Sequence, residues 1–104
     1  MTTLMEFSMF PLDKGASLSS HVAKVLDVVD SSGLVYRLTP MGTIVEGEFD
    51  ELQRLLSACF STLAPASTRI SLSVKFDYRQ GEEPRLEKKI ESVEEKLGRK
   101  LRTT

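Results

Sequence analysis

Between Ile70 and Asp77 apolar and polar residues alternate without interruption: Ile70, Leu72, Val74 and Phe76 against Ser71, Ser73, Lys75 and Asp77. A two-residue period marks a strand with one apolar and one polar face. A chain that owns such a strand has to cover its apolar side, so helices laid against one face of a sheet are expected.

Two stretches supply those helices. Leu18, Val22, Val25, Leu26 and Val29 fall on one helical face, with Ser17 as the expected N-cap and Gly33 as the stop. Leu52, Leu55, Leu56, Cys59, Phe60 and Leu63 form a second stripe, opened by Asp50 and Gln53 as a capping-box pair and ended by Pro65. The remaining strands are Leu4 to Phe10, closed by Pro11, and a hairpin of Leu34 to Thr39 and Thr43 to Glu48 across Pro40-Met41-Gly42. After a turn over Gln80 to Pro84, Leu86, Ile90, Val93 and Leu97 predict a last helix over 85–98.

The order β-α-β-β-α-β predicts an α+β, ferredoxin-like fold. Right-handed crossovers put both main helices on one face of a four-stranded antiparallel sheet, with the last helix as an addition. The 104 residues are expected to form one domain, 1–104, and chains of this size bury roughly two-thirds of the surface they expose unfolded. Glu6, Ser8, Ser71, Ser73, Lys75 and Asp77 are expected on the sheet's other face, wet or against another protomer.

A net charge of −1 with interspersed signs does not point to phosphate backbones. The third strand, Thr43-Ile44-Val45-Glu46-Gly47-Glu48, lacks the aromatics that RNA-binding modules of this order display, so no nucleic-acid partner is expected. No apolar run is long enough to span a bilayer, and Glu6 interrupts the first stretch with no basic leader before it. A single cysteine fits a reducing compartment. The expectation is a cytoplasmic protein without a membrane partner.

Glu46 beside Gly47 is the first candidate for function. It reads either as a solvated strand glutamate or as a ligand-facing carboxylate, with glycine leaving room for close approach. Thr43 adds a hydroxyl on a neighbouring wall. Lys75, Asp77 and Arg79 share one side of an extended strand, as a self-neutralising charge ladder, a subunit contact or a pocket rim. His21 has no second histidine or cysteine near it in sequence, and Cys59 sits inside an apolar stripe, so both read as structural. No phosphate loop, catalytic constellation or metal-ligand cluster is visible; the chain is not read as an enzyme, and no cofactor or metal is required.

Four pieces together resemble the small thiamine-binding protein family of about a hundred residues, ferredoxin-like proteins long described as uncharacterised. They are Pro11 with Gly15; Ser32-Gly33-Leu34 with Tyr36 and Leu38; Pro40-Met41-Gly42-Thr43 followed by Glu46-Gly47; and Lys75, Asp77 and Arg79. The resemblance runs from about Leu4 to Leu97, and departs from the pattern where Ala66-Ser67-Thr68-Arg69 stands in place of an expected glycine. It implies a dimer formed by sheet extension, often a tetramer of two such dimers. It also implies non-catalytic binding of thiamine or its hydroxymethyl-pyrimidine portion, in salvage, storage or delivery. Glu46 and Thr43 are placed in that site by motif, and Ser8, Phe10, Tyr36 and Asp77 by strand parity and proximity. The alternative is a small regulatory or structural homo-oligomer with another small-molecule effector.

Overall fold

A computed structural model describes residues 2–15, 18–80 and 86–103 of the chain. The elements are β1 (Thr2–Pro11), α1 (Ser19–Ser31), β2 (Val35–Thr39), β3 (Gly42–Gly47), α2 (Phe49–Leu63), a short 3-10 turn at Ala64–Ala66, β4 (Ile70–Arg79) and α3 (Lys88–Leu97). The strands form one antiparallel sheet in the order β2-β3-β1-β4. This is the expected ferredoxin-like βαββαβ arrangement with an added C-terminal helix.

Parity along the strands sorts the side chains. Met5, Phe7 and Met9 of β1 and Val45 of β3 point towards the helices and pack with Val25 and Val29 of α1 and Leu52, Leu55, Cys59 and Leu63 of α2. Burying side chains of this kind stabilises the fold by about 1.5–3 kcal/mol each. The helices lie over the two central strands, so the apolar row of β4 at the sheet's edge is only half-covered: Leu72 is 41%, Val74 40% and Tyr78 56% exposed. The strand most legible in the sequence is therefore one whose apolar row is only partly covered.

Local chemistry explains the joints. The Pro40-Met41 turn has no residue with positive φ, so it is not one of the primed turns that suit two-residue hairpins best. Thr39 compensates: its Oγ1 accepts from the N–H of Gly42 at 3.1 Å and donates to the Gly42 carbonyl at 2.8 Å. A side chain at Gly42 would come within 3.0 Å of the Phe7 carbonyl oxygen, which is why glycine is needed there. At Gly47 an added methyl would meet only ordinary van der Waals contacts, Leu34 at 3.4 Å and Glu51 at 3.6 Å, so packing does not demand glycine there.

Some boundaries differ from expectation. The α2 cap is Glu48, whose backbone N–H donates to Glu51 at 3.1 Å, two residues before the expected Asp50–Gln53 pair. Helix α1 starts at Ser19 with Leu18 as N-cap, and the expected cap Ser17 lies outside the described residues. The turn expected over Gln80 to Pro84 lies outside them from residue 81 onwards, as does residue 85 at the start of the expected last helix. In place of the glycine expected before β4, Thr68 gives its N–H (2.7 Å) and hydroxyl (2.9 Å) to Asp13 Oδ2. That pins the β1–α1 connection to the start of β4 and holds the Asp13 carboxyl below its ordinary pKa.

Two outcomes are expected. Leu52, fully buried under the sheet, should cost about 2–5 kcal/mol of unfolding free energy when changed to alanine, read by urea denaturation at fixed protein concentration. Burial pushes the Cys59 thiol up to about 11, so the native protein at pH 8 should leave a disulfide-exchange reagent unconsumed until denaturant is added.

Candidate functional site

Glu46 points to the polar face of the sheet, between Leu4 of β1 and Val35 of β2. It is nevertheless only 7% exposed, because the chain returns over it before α3. Leu86 is buried there, and its backbone N–H donates to Glu46 Oε1 at 3.3 Å. Glu87 then pairs with Arg37 of β2, and Lys89 with Asp77 of β4. Residues 86–89 form a strap across the polar face, tied to β2, β3 and β4. Beside it lies a small hollow of about 160 Å³ bordered by Leu4, Glu6, Ile44, Asp77 and Lys89.

A second hollow, of about 350 Å³, opens at the other end of the sheet, on the helix side. It exists because β1 outruns its neighbour. β1 is paired with β4 as far as Pro11 but with β3 only as far as Phe7, opposite Thr43. Past that point the gap is bounded by Ser8, Met9 and Phe10 on one side and by the hairpin tip, Leu38 to Thr43, on the other. The first turns of α1 roof it with Leu18, Val22 and Leu26, which is why this end of the α1 stripe stays half-buried while Val25 and Val29 are buried. The lining is mostly apolar, with Thr43 buried at its inner end.

The six residues expected to share one site are divided. Glu46 and Asp77 lie on the polar face under the strap. Thr43, Ser8 and Phe10 line the hairpin-tip hollow. Tyr36 faces the helix side but joins neither group: its hydroxyl donates to Asp30 Oδ1 at 2.6 Å, at the end of α1, which raises the tyrosine pKa. The separation of Thr43 from Glu46 is geometric, since positions an odd number apart on a strand face opposite ways. The strap residues were not among the expected site residues, nor were the hollow's Leu38 and Met41, although both stand in the motif pieces that carry the resemblance. Leu86, at the head of the last apolar stripe, was the available signal for the strap.

Among the described residues no group of three or more His, Cys, Asp or Glu side chains is placed to hold a metal ion. No helix among them is long and apolar enough to cross a membrane.

The thiamine-binding protein family model matches residues 5–94. A UPF0045 protein of Methanocaldococcus jannaschii is 34% identical over 90 residues, covering 86% of this chain and 90% of that one. The crystal structure of the M. jannaschii protein superposes with a TM-score of 0.82 at 33% identity, over 90% of this chain and 97% of that one. A Thermotoga maritima protein provisionally assigned to thiamine biosynthesis or salvage has the same fold, with a TM-score of 0.78 at 22% identity over 89% of this chain and 99% of its own. With nearly the whole sheet, the first two helices and most of α3 inside the matched span, the chain belongs to the thiamine-binding protein family.

Proposed function

We propose that this protein binds thiamine or its hydroxymethyl-pyrimidine portion and passes it on unchanged, in salvage, storage or delivery. The observation that carries the reading is the hairpin-tip hollow, found in a chain of the thiamine-binding family. Its volume lies near the lower end of the range for small-molecule sites, and apolar walls with few polar groups are what such sites have. Phe7 and Met9, whose side chains share the helix side with Thr43, offer surfaces for a flat ring, and the Thr43 hydroxyl orients it, while Ser8 and Phe10 border the hollow from the alternate positions of β1. Glu46 is better read as the anchor of the strap, because its carboxylate already accepts from Leu86. Cys59, buried and protonated at neutral pH, makes a poor nucleophile.

Thiamine and hydroxymethyl-pyrimidine should both raise the unfolding temperature; at a hundred times Kd the gain is about 2.7 kcal/mol. Thr43→Val, which removes a hydroxyl at nearly constant shape, should shrink that response. Glu46→Gln should leave it intact, since a glutamine oxygen still accepts from Leu86. The reverse pattern in a thermal-shift titration would move the site to the polar face.

Assembly is the second part of the reading, favoured by the state of β4. In β4 the odd-numbered residues face β1 for hydrogen bonding, so Leu72, Val74 and Phe76 turn their main-chain groups outward, along an edge that no other strand among the described residues covers. Their side chains, with Phe60 and Phe49 of α2, leave apolar surface beside that edge. Long open edges are normally covered or blunted. A second copy pairing β4 to β4 would extend the sheet and cover this row, and two such dimers would make a tetramer. Val74→Lys should then lower the mass read by light scattering to that of one chain, with the circular dichroism unchanged; an unaltered mass would place the contact elsewhere.

A further inference from the structure

The free stretch of β1 inside the hollow has a hydrogen-bonding pattern of its own. The Phe7 carbonyl lies against Gly42 of β3, while the N–H of Leu12 donates to Arg69 in line with β4. Odd-numbered residues of β1 therefore direct their main-chain groups towards β3, and even-numbered ones towards β4. Thr3, Met5 and Phe7 meet Gly47, Val45 and Thr43 in this way. Met9 is next in the series, and β3 has already ended. Among the described residues no backbone or side-chain group bonds to the Met9 N–H or C=O on that side. The following odd residue is Pro11, which has no N–H to offer. The open edge thus has a single donor, the Met9 N–H, beside the Met9 carbonyl, and past it only the carbonyl of Pro11.

A hydrogen-bonded partner residue in an antiparallel ladder would supply an acceptor to that N–H and a donor to that C=O. A flat ring carrying a ring nitrogen next to an exocyclic amine presents the same pair. A peptide strand would need a further donor along the edge, and Pro11 supplies none. Resting on the thiamine-class reading above, we infer that the main chain of Met9 recognises the amino–imino edge of an aminopyrimidine ring, held between the α1 side chains Val22 and Leu26 and the hairpin side chains Leu38 and Met41. Met9 then acts through its backbone, so the chemistry of recognition does not depend on which side chain stands there. The ring completes the sheet where β3 falls short, and an unsatisfied donor and acceptor at a mostly apolar wall gain partners.

The test is a titration of the nitrogen-15-labelled full chain with hydroxymethyl-aminopyrimidine and with its dimethylamino counterpart, which keeps the ring but has no amine proton. The amide resonance of Met9 should move downfield and its hydrogen exchange slow with the first compound. The second should bind at least tenfold more weakly, the size of one lost hydrogen bond. Leu38→Trp, at a position 51% exposed on the rim, should fill the hollow and abolish the Met9 response with the fold retained. Binding of the aminopyrimidine with the Met9 amide unmoved, or equal affinity for both compounds, would overturn this inference while leaving the carrier reading standing. Failure of thiamine and of both pyrimidines to bind would overturn both.

Discussion

Unequal strand lengths at the centre of the sheet set the rest of the structure. β1 has ten residues and β3 has six, and β1 lies between β3 and β4. β4 can follow β1 to its end, whereas β3 turns away at Gly42 because the Pro40-Met41 turn returns the chain to β2. Buried main-chain groups have to be paired or reach solvent. The shortfall therefore produces either a wet notch or a ligand site, and the apolar residues of α1 and the hairpin tip make the notch a poor place for water alone. The same side chains that would have capped a complete core, Leu18, Val22 and Leu26, become walls instead.

The opposite end of the sheet resolves its own problem internally. Glu46 on the polar face would be an ordinary surface charge if residues 86–89 did not cross it. A carboxylate brought to this degree of burial needs hydrogen-bond partners, and the Leu86 N–H is one of them. Exposed ion pairs such as Lys89–Asp77 contribute about 1 kcal/mol or less. Burial of Leu86, 7% exposed, contributes about 1.5–3 kcal/mol, so the strap is held mainly by one leucine, with the ion pairs fixing its direction. The polar sheet face is thereby partly covered without a third layer of core. Further along α3, Val93 and Leu97 stay about half exposed.

How much of this was legible in the sequence follows from the range of the interactions involved. Strand alternation, helical stripes and the Pro-Met-Gly turn are local, and they yielded the fold and the order of elements. The α2 cap shifted by two residues because Glu48 and Glu51 satisfy the same reciprocal pattern as Asp50 and Gln53, and only the path of the chain out of β3 selects between them. Thr43 and Glu46 belong to one motif, yet strand parity sends them to opposite faces, information that the motif carries but that spacing in a list of candidates conceals. The strap over Glu46 joins residues 40 positions apart, beyond the reach of any local pattern. The donor–acceptor edge of Met9 is hidden for a different reason: it belongs to the backbone, and its exposure depends on where a neighbouring strand happens to end.

Ligand recognition and assembly, on the reading developed above, use opposite edges of the same two-strand unit. The hollow lies on the β3 side of β1, and the open edge available to a second copy lies on the far side of β4. A sheet extended through β4 would leave each protomer with its own complete hollow, so the copy number need not enter the binding stoichiometry. The two events still meet at β1. Its even-numbered main-chain groups hold β4 while Met9, next in the odd-numbered series, faces the ring, and fixing one set restricts the strand that carries the other. Coupling of this kind works by ordering a shared element, and needs no displacement of domains. A ring seated against Met9 would then stiffen the part of β1 to which Ser71, Ser73 and the rest of β4 are bonded, favouring the edge on which a partner strand is laid.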